Sequence, residues 1–337
     1  MQKSTHHLLP SRYMIRDITI APALVLAPME GVTNKTFRRL IRSIGGQGLT
    51  YTEFVASQAL KDRGKKALQI AQFDPDELPI AIQIYGKDPY IMAEAARVVE
   101  SLGATIIDIN MGCPSKKVCA RSGGSALMRD PTLATAIVRA VRQAIKVPLT
   151  VKMRSGFDHT NRNAPELAYM CQEEGAEGIT IHWRTREDRY GGTRAVDKIA
   201  QTKAKLSIPV IANGDIIDAQ SAINMVRETQ CDGIMVGRGA MRNPWVFQEI
   251  KAAFAGEQYT HPTLLERRTL LERFLDRYRE DFRHEKHSLG KFKQIAQHFY
   301  SGLEEGPLLR RAILRSQSID EIEDHISVYF NRALEKA

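Results

Sequence analysis

Three polar side chains interrupt runs that are otherwise apolar and β-branched: Gln83 within 80–85, Lys152 within 149–154, and His182 within 178–183. A polar group inside a buried strand costs free energy unless it is paired or put to use. Three of them at matching depth on three strands point to a shared site. A fourth candidate is Cys113, set between Gly112 and Pro114 just after the run 106–111. Proline fixes its own φ and restricts the residue before it, so this thiol sits on a stiff turn. A free thiol with a pKa of about 8.5 is mostly protonated near neutrality, which makes it a usable general acid. Cys119, Cys171 and Cys231 lack such a setting and read as structural. With no C-x-x-C pair, neither a disulfide framework nor a metal site is expected.

Two further turns contain glycine: Asn213-Gly214-Asp215 and Gly237-Arg238-Gly239. Small residues let backbone N–H groups approach an anion, and Arg238 adds a charge suited to phosphate. No G-x-x-x-x-G-K-[ST] loop and no G-x-G-x-x-G turn is present, so neither an NTPase nor a dinucleotide-binding turn is supported. A phosphate at these turns, with Lys152 and Gln83 deeper in, suits FMN. A flavin taking up hydride becomes anionic along one ring edge, where a buried lysine stabilises it. Gln83 can donate to and accept from the ring's amide edge. The alternative for Lys152 is a salt bridge to a carboxylate of the same barrel.

The elements that position these residues follow from periodicity. Eight short apolar runs recur at 25–29, 49–54, 80–85, 106–111, 149–154, 178–183, 209–215 and 233–238, with helical patterns between them. Strands that are apolar on both faces and alternate with helices are parallel and buried. Eight of them close most economically into a (β/α)8 TIM barrel, whose functional residues lie where the strands end. Asp88-Pro89 and Asp130-Pro131 each place a capping acid before a first-turn proline. Beyond about residue 258 strand signals stop and helical stretches follow at 264–286, 289–303, 307–314 and 319–334. The expected organisation is therefore a catalytic barrel over 1–256 and a smaller all-helical domain over 257–337. No apolar run reaches the roughly 18 residues of a membrane span, and a cytoplasmic, reduced, monomeric protein is expected.

Together these motifs resemble the tRNA-dihydrouridine synthase family across nearly the whole chain. The blocks are A-P-M-E-G-V-T at 27–33, I-D-I-N-M-G-C-P-S-K-K-V at 107–118, G-S-A-L at 124–127 and V-K-M-R at 151–154. I-H-W-R-T-R at 181–186, P-V-I-A-N-G-D at 209–215 and M-V-G-R-G-A at 235–240 complete the set. The resemblance implies that Cys113 protonates uracil C5 after hydride from FMN reaches C6. It implies FMN contacts at Pro28, Met29, Glu30, Gln83, Lys152, His182, Asn213, Gly214, Asp215, Gly237 and Arg238. NADPH, or NADH, would reduce the flavin, and D-loop uridines of tRNA would be the substrate. Glu30 and T-E-F-V at 52–55 look like one bacterial branch, the B and C types being the nearest, while N-M-G-C-P and N-P-W look like another. The particular uridine therefore stays open.

The chain carries 48 Lys and Arg against 39 Asp and Glu, a net +9. The segments 112–130, 154–163, 183–194 and 238–242, which follow strands, hold 12 Lys and Arg against 4 Asp and Glu. Nearly all of the excess thus falls at one end of the expected barrel, where an RNA backbone would be held. The candidates there are Lys116, Lys117, Arg154, Arg184 and Arg186. In the tail they are Lys286, Lys291, Lys293, Arg310, Arg311 and Arg315. Two rivals share parts of this pattern. One is an FMN barrel acting on a small pyrimidine or dihydroorotate, and the other is an RNA-binding protein with a vestigial flavin site. The basic mouth and helical tail count against the first, and intact Cys113, Lys152 and Gly237-Arg238 against the second.

Overall fold

The computed structural model describes residues 9–120, 123–189, 191–281, 285–300 and 302–336. The side chains of Lys117 and Lys286, both expected to meet RNA, lie outside the described residues. Eight parallel strands form the barrel: β1 Leu24–Leu26, β2 Leu49–Tyr51, β3 Ile80–Tyr85, β4 Ile106–Met111, β5 Leu149–Arg154, β6 Gly178–His182, β7 Val210–Asn213 and β8 Gly233–Val236. Each strand pairs with the next. β8 returns to β1 through Met235↔Val25, and β2 meets β3 through Thr50↔Ile80, so no edge is left open.

Five strands, β1, β2, β6, β7 and β8, are shorter than the apolar pattern implies, and the first two show why. The first stops at Leu26, not Met29: Ala27 still donates its N–H to Val236, but Pro28 has none to offer. The second stops at Tyr51, the chain turns through Thr52–Phe54, and Val55–Ala56 pairs again with Ile84 and Tyr85. A hairpin of Tyr13–Ile15 and Ile18–Ile20 has no counterpart among the elements expected from sequence. Its turn is Arg16-Asp17, without a glycine or asparagine to announce it. Arg16 takes φ +54°, held by two hydrogen bonds to the carboxylate of Glu177 at 2.7 and 2.8 Å. The hairpin plugs the lower end of the barrel. Tyr13, Ile15 and Ile20 pack with Val25, Leu49, Ala81, Ile106, Ile211 and Met235 in one buried cluster. Gly233 makes room for it, since a Cβ there would stand 2.7 Å from the Tyr13 ring.

The outer helices start as the capping acids imply. Asp88 and Asp130 each accept the N–H three residues on, at 3.0 Å. The helix Lys35–Ile44 is anchored differently, by an ion pair with both side chains fully buried. Arg38 donates to Glu77 at 2.7 Å, to the Thr33 carbonyl at 3.0 Å and to the Gln72 carbonyl at 2.8 Å.

The tail comprises α1 Leu264–Asp281, α2 Glu285–Ala296, α3 Gly306–Arg315 and α4 Ile319–Lys336. It shares its core with the barrel. Phe274 of α1 meets Phe37 edge-on at 6.3 Å and also packs against Tyr278, Phe292 and Phe299. Asn34 donates to the Tyr278 hydroxyl at 3.1 Å, and Thr36 to Asp281 at 2.5 Å. No helix among the described residues is long and apolar enough to cross a membrane.

Removing one partner of a buried ion pair leaves an uncompensated charge, at a cost of about 3–5 kcal/mol, whereas apolar replacement of both is close to neutral. Urea unfolding of Glu77→Ala should show a loss of that size, and the double variant Arg38→Met, Glu77→Leu a much smaller one. Equal losses in the two would show that packing, not charge, sets the cost.

Candidate functional site

A cavity of about 480 Å³ opens at the C-terminal ends of the strands. That is within the range of cofactor sites. Pro28, Met29, Gln83, Cys113, Lys152, His182, Asn213, Gly214, Asp215, Gly237 and Arg238 all line it. Glu30 does not: it is exposed beyond the rim, because the chain leaves the cavity wall after Met29. Strand alternation explains the convergence. Gln83 pairs with Asp108, Asn110 with Lys152, Arg154 with His182, and His182 with Asn213, so all point inward at successive depths.

Lys152 lies half-buried on the wall, with no hydrogen bond and no carboxylate within 4.0 Å among the described residues. The salt-bridge alternative is thus not realised. Burial, with the charge of Arg154, pushes its ammonium down to about 8, while Asp108 opposes the fall. His182 is held well below its ordinary value by burial and by the charges of Lys152, Arg154, Arg184 and Arg238. It is neutral at pH 7. Its Nδ1 accepts the Arg184 N–H at 3.1 Å, which leaves the proton on Nε2.

Cys113 rests on a framed loop. Asn110 Oδ1 accepts the N–H groups of Gly112 at 3.0 Å and Cys113 at 2.9 Å. The Cys113 carbonyl accepts Ser125 Oγ at 2.9 Å and Cys119 Sγ at 3.5 Å. Cys119, which in sequence lacks any such setting, therefore belongs to the same loop. Burial raises the Cys113 thiol and Glu30 and Cys119 add to this, while the Ser115 N–H and Arg154 pull it down; the net effect is upward. The thiol stays protonated at neutral pH.

Gly214 takes φ +121°, and a Cβ there would stand 2.5 Å from the Trp183 ring, so only glycine fits this turn. Asp215 beside it accepts from Arg184 at 2.9 and 2.6 Å and from half-exposed Arg238 at 2.9 Å.

The structure reassigns several residues expected to meet RNA. Arg154 is buried and donates to the carbonyls of Gly112 at 2.7 Å and Thr185 at 2.8 Å, tying the loops after β4 and β6 together. Arg184 is buried too, clasping Asp215 and lying over the Trp183 ring at 4.0 Å. Lys293 donates to the Ser316 carbonyl just past α3, and Lys291 reaches the Gly31 carbonyl at 3.5 Å. Carbonyls and a carboxylate have taken these cations inward. Lys116, Arg311 and Arg315 are exposed; Arg186, over the Phe157 ring, and Arg310, over that of Tyr300, are half-buried. Sequence reasoning missed Asp108, fully buried below Gln83, and Arg242 at the rim. Asp108 lies two residues before Asn110, on the same inward face, and that spacing was the available signal.

Comparison with known proteins places nearly the whole chain beside one family. A family model described as dihydrouridine synthase (Dus) matches residues 25–335. A tRNA-dihydrouridine synthase B of Xanthomonas axonopodis pv. citri (strain 306) is 45% identical over 251 residues, 74% of this chain and 75% of the relative. A probable tRNA-dihydrouridine synthase of Rickettsia conorii (strain ATCC VR-613 / Malish 7) is 41% identical over 272 residues, 79% of this chain and 82% of the relative. Among solved structures, a 2-naphthoyl-CoA reductase in complex with 2-naphthoyl-CoA has a TM-score of 0.57 at 12% identity. The match covers 74% of this chain and 52% of that one, and is a likeness of fold.

A lysine depressed on folding gives a definite sign. Between about 8 and its unfolded value of about 10.4 the unfolded chain binds more protons than the native one, so stability rises with pH. Compared with the parent after both are stripped of any bound ligand, protein carrying Lys152→Met should melt higher at pH 7, and the gap should narrow as pH rises through about 8 towards about 10. A gap independent of pH would show that Lys152 is solvated like a surface lysine.

Proposed function

Because this chain belongs to the dihydrouridine synthase family, we propose that it is an FMN-containing, NADPH-dependent reductase that forms 5,6-dihydrouridine at D-loop uridines of tRNA. The observation that carries the reading is one cavity in which a protonated thiol, an unpaired half-buried lysine and a glycine turn converge. The residues present fit FMN. Gly214 leaves the turn after β7 without a side chain, and Arg238 at the rim supplies a cation for a phosphate. Lys152 offers a charge to the ring edge, and the neutral His182 an N–H. FMN, once bound, supplies the hydride that uracil C6 receives.

The chain's own part is to accept the base and complete the proton balance. Hydride at C6 leaves negative charge towards C5, and the Cys113 thiol hands its proton there. The thiolate left behind faces the charge of Arg154, which favours the ionised form. Gly112 and Cys113 N–H groups, gripped by Asn110, keep the sulfur at one height on the wall. A uridine stacked in folded RNA reaches this depth only when swung out, at a cost of a few kcal/mol. The tail, 257–337, and the exposed cations Lys116, Arg311 and Arg315 hold the phosphates that offset this cost.

The purified protein should be yellow, with about one FMN per chain, and Lys152→Ala should lose or weaken it. Cys113→Ala should keep FMN and its reduction by NADPH, yet form dihydrouridine about 10²–10⁴ times more slowly. Turnover within a few-fold of the parent would remove Cys113 from the proton step.

The salt dependence of tRNA affinity separates cations that touch RNA from those that do not. Neutralising Lys116, Arg311 and Arg315 together should flatten the plot of log affinity against log salt by about 0.7–0.9 for each phosphate no longer held. The change Lys293→Gln should leave that slope untouched, since Lys293 is bonded to Ser316. Equal slopes for parent and triple variant would place the RNA elsewhere on the barrel mouth.

A further inference from the structure

The cavity floor holds an unbroken line of four hydrogen-bonded groups, of which the proton chemistry uses only the end at Asn110 and the Cys113 loop. Asp108, fully buried, accepts from Thr150 Oγ1 at 2.6 Å and from Gln83 Nε2 at 2.7 Å. Gln83 Oε1 accepts from Asn110 Nδ2 at 2.7 Å. Asn110 Oδ1 accepts the backbone N–H groups of Gly112 and Cys113. The two ends differ in kind. An ionised carboxylate can only accept, and a backbone N–H can only donate. Between such ends, two side-chain amides in series have one orientation that satisfies every contact, and turning either one sets two donors or two acceptors face to face.

We propose that Asp108 is a positioning residue that sets the direction of this amide relay, so that Gln83 and Asn110 show N–H groups, not carbonyl oxygens, to the cavity, and Asn110 grips the Cys113 loop. Each amide nitrogen carries two hydrogens and spends one inside the relay. The second is left outside the relay, and both side chains line the cavity, Gln83 at its buried floor and Asn110 slightly exposed. With Lys152 and the Nε2–H of His182 beside them, this stretch of wall is made of donors, complementary to an edge of carbonyl oxygens and unprotonated ring nitrogens. Gln83 is thus committed to donating there. Burial raises the Asp108 carboxyl to about 6, against the opposing pull of Thr150, Gln83 and Lys152, so it stays mostly ionised at neutral pH. The match between this donor wall and a flavin rests on the FMN reading above; the hold on the Cys113 loop does not.

Two variants of the full-length protein test it. Asp108→Leu removes the acceptor at the buried end, in a larger side chain that the melting measurement must show to be tolerated. Asp108→Asn combined with Gln83→Glu exchanges acid and amide. In the exchanged pair the amide introduced at position 108 still accepts from Thr150 and donates to the carboxylate introduced at position 83, which still accepts from Asn110. The relay then keeps its direction towards Cys113 but shows a carboxylate to the cavity. The readouts are FMN affinity by fluorescence titration and, on flavin-free protein, the rate and pH profile of Cys113 alkylation by iodoacetamide, followed on the Cys113 peptide by mass spectrometry. Thermal melting confirms that each variant is folded.

With one directed hydrogen bond lost at each limb, Asp108→Leu should weaken FMN about tenfold and change the Cys113 alkylation rate several-fold. The exchanged pair should restore the parent's alkylation rate and pH profile, while FMN stays at least about tenfold weaker because like charge now faces the carbonyl edge. Parent-like values of both quantities in Asp108→Leu would overturn the proposal. So would an exchanged pair whose Cys113 is as disturbed as in Asp108→Leu, since Asp108 would then act through its own charge. Normal alkylation behaviour in a parent that binds no FMN would instead remove the flavin reading and leave the relay standing.

Discussion

The mouth of this molecule depends on the closure of the sheet at Thr50↔Ile80. An open sheet would leave the strand bearing Gln83 at an edge. Closure makes alternate side chains of eight strands share one interior, where water is scarce and polar atoms must find each other. The lower levels solve this by being apolar around the hairpin plug. The upper levels solve it with Asp108, Gln83, Asn110 and Thr150, which hydrogen-bond to one another in series. Lys152 differs from these four: it is a half-buried cation on the cavity wall with no hydrogen bond and no carboxylate within 4.0 Å among the described residues.

The cations divide along the same line. Net charge alone says that an anionic partner is favoured, without saying which side chains meet it. Arg154, Arg184, Lys291 and Lys293 bind the protein's own oxygens and hold loops together. Arginine suits this work, since its planar fork reaches two carbonyls or both oxygens of one carboxylate. The basic residues of this chain are thus partly mortar, and only the remainder is available to an anionic partner.

The barrel and the residues around its cavity were legible in the sequence because strand alternation and strand ends are local signals. The same holds for Asp88 and Asp130 as helix caps. Glu30 was misplaced by one residue's turn of the backbone after Met29, which no local pattern records. The hairpin was missed because Arg16-Asp17 is stabilised by Glu177, far away in sequence. Arg154 and Arg184 were misread for a related reason: their partners are a carbonyl at Gly112, one at Thr185 and the carboxylate of Asp215. Long-range partners decide whether a charge faces in or out, and composition is blind to them.

The loop after β1 that carries Pro28 and Met29 is braced from the far end of the chain. Asn34 is held by Tyr278, 244 residues later, and the Gly31 carbonyl by Lys291, 260 residues later. Contacts of such separation close late, because the entropy of the intervening chain opposes them until the rest is in place. During synthesis from the N-terminus the eight strands leave the ribosome well before α1 and α2 do. A nascent barrel therefore emerges with this cavity-lining loop unbraced and Phe37 uncovered, and the wall is completed only when the tail arrives. The order of the two parts along the chain thus leaves this side of the cavity to be completed last, by the part that braces it.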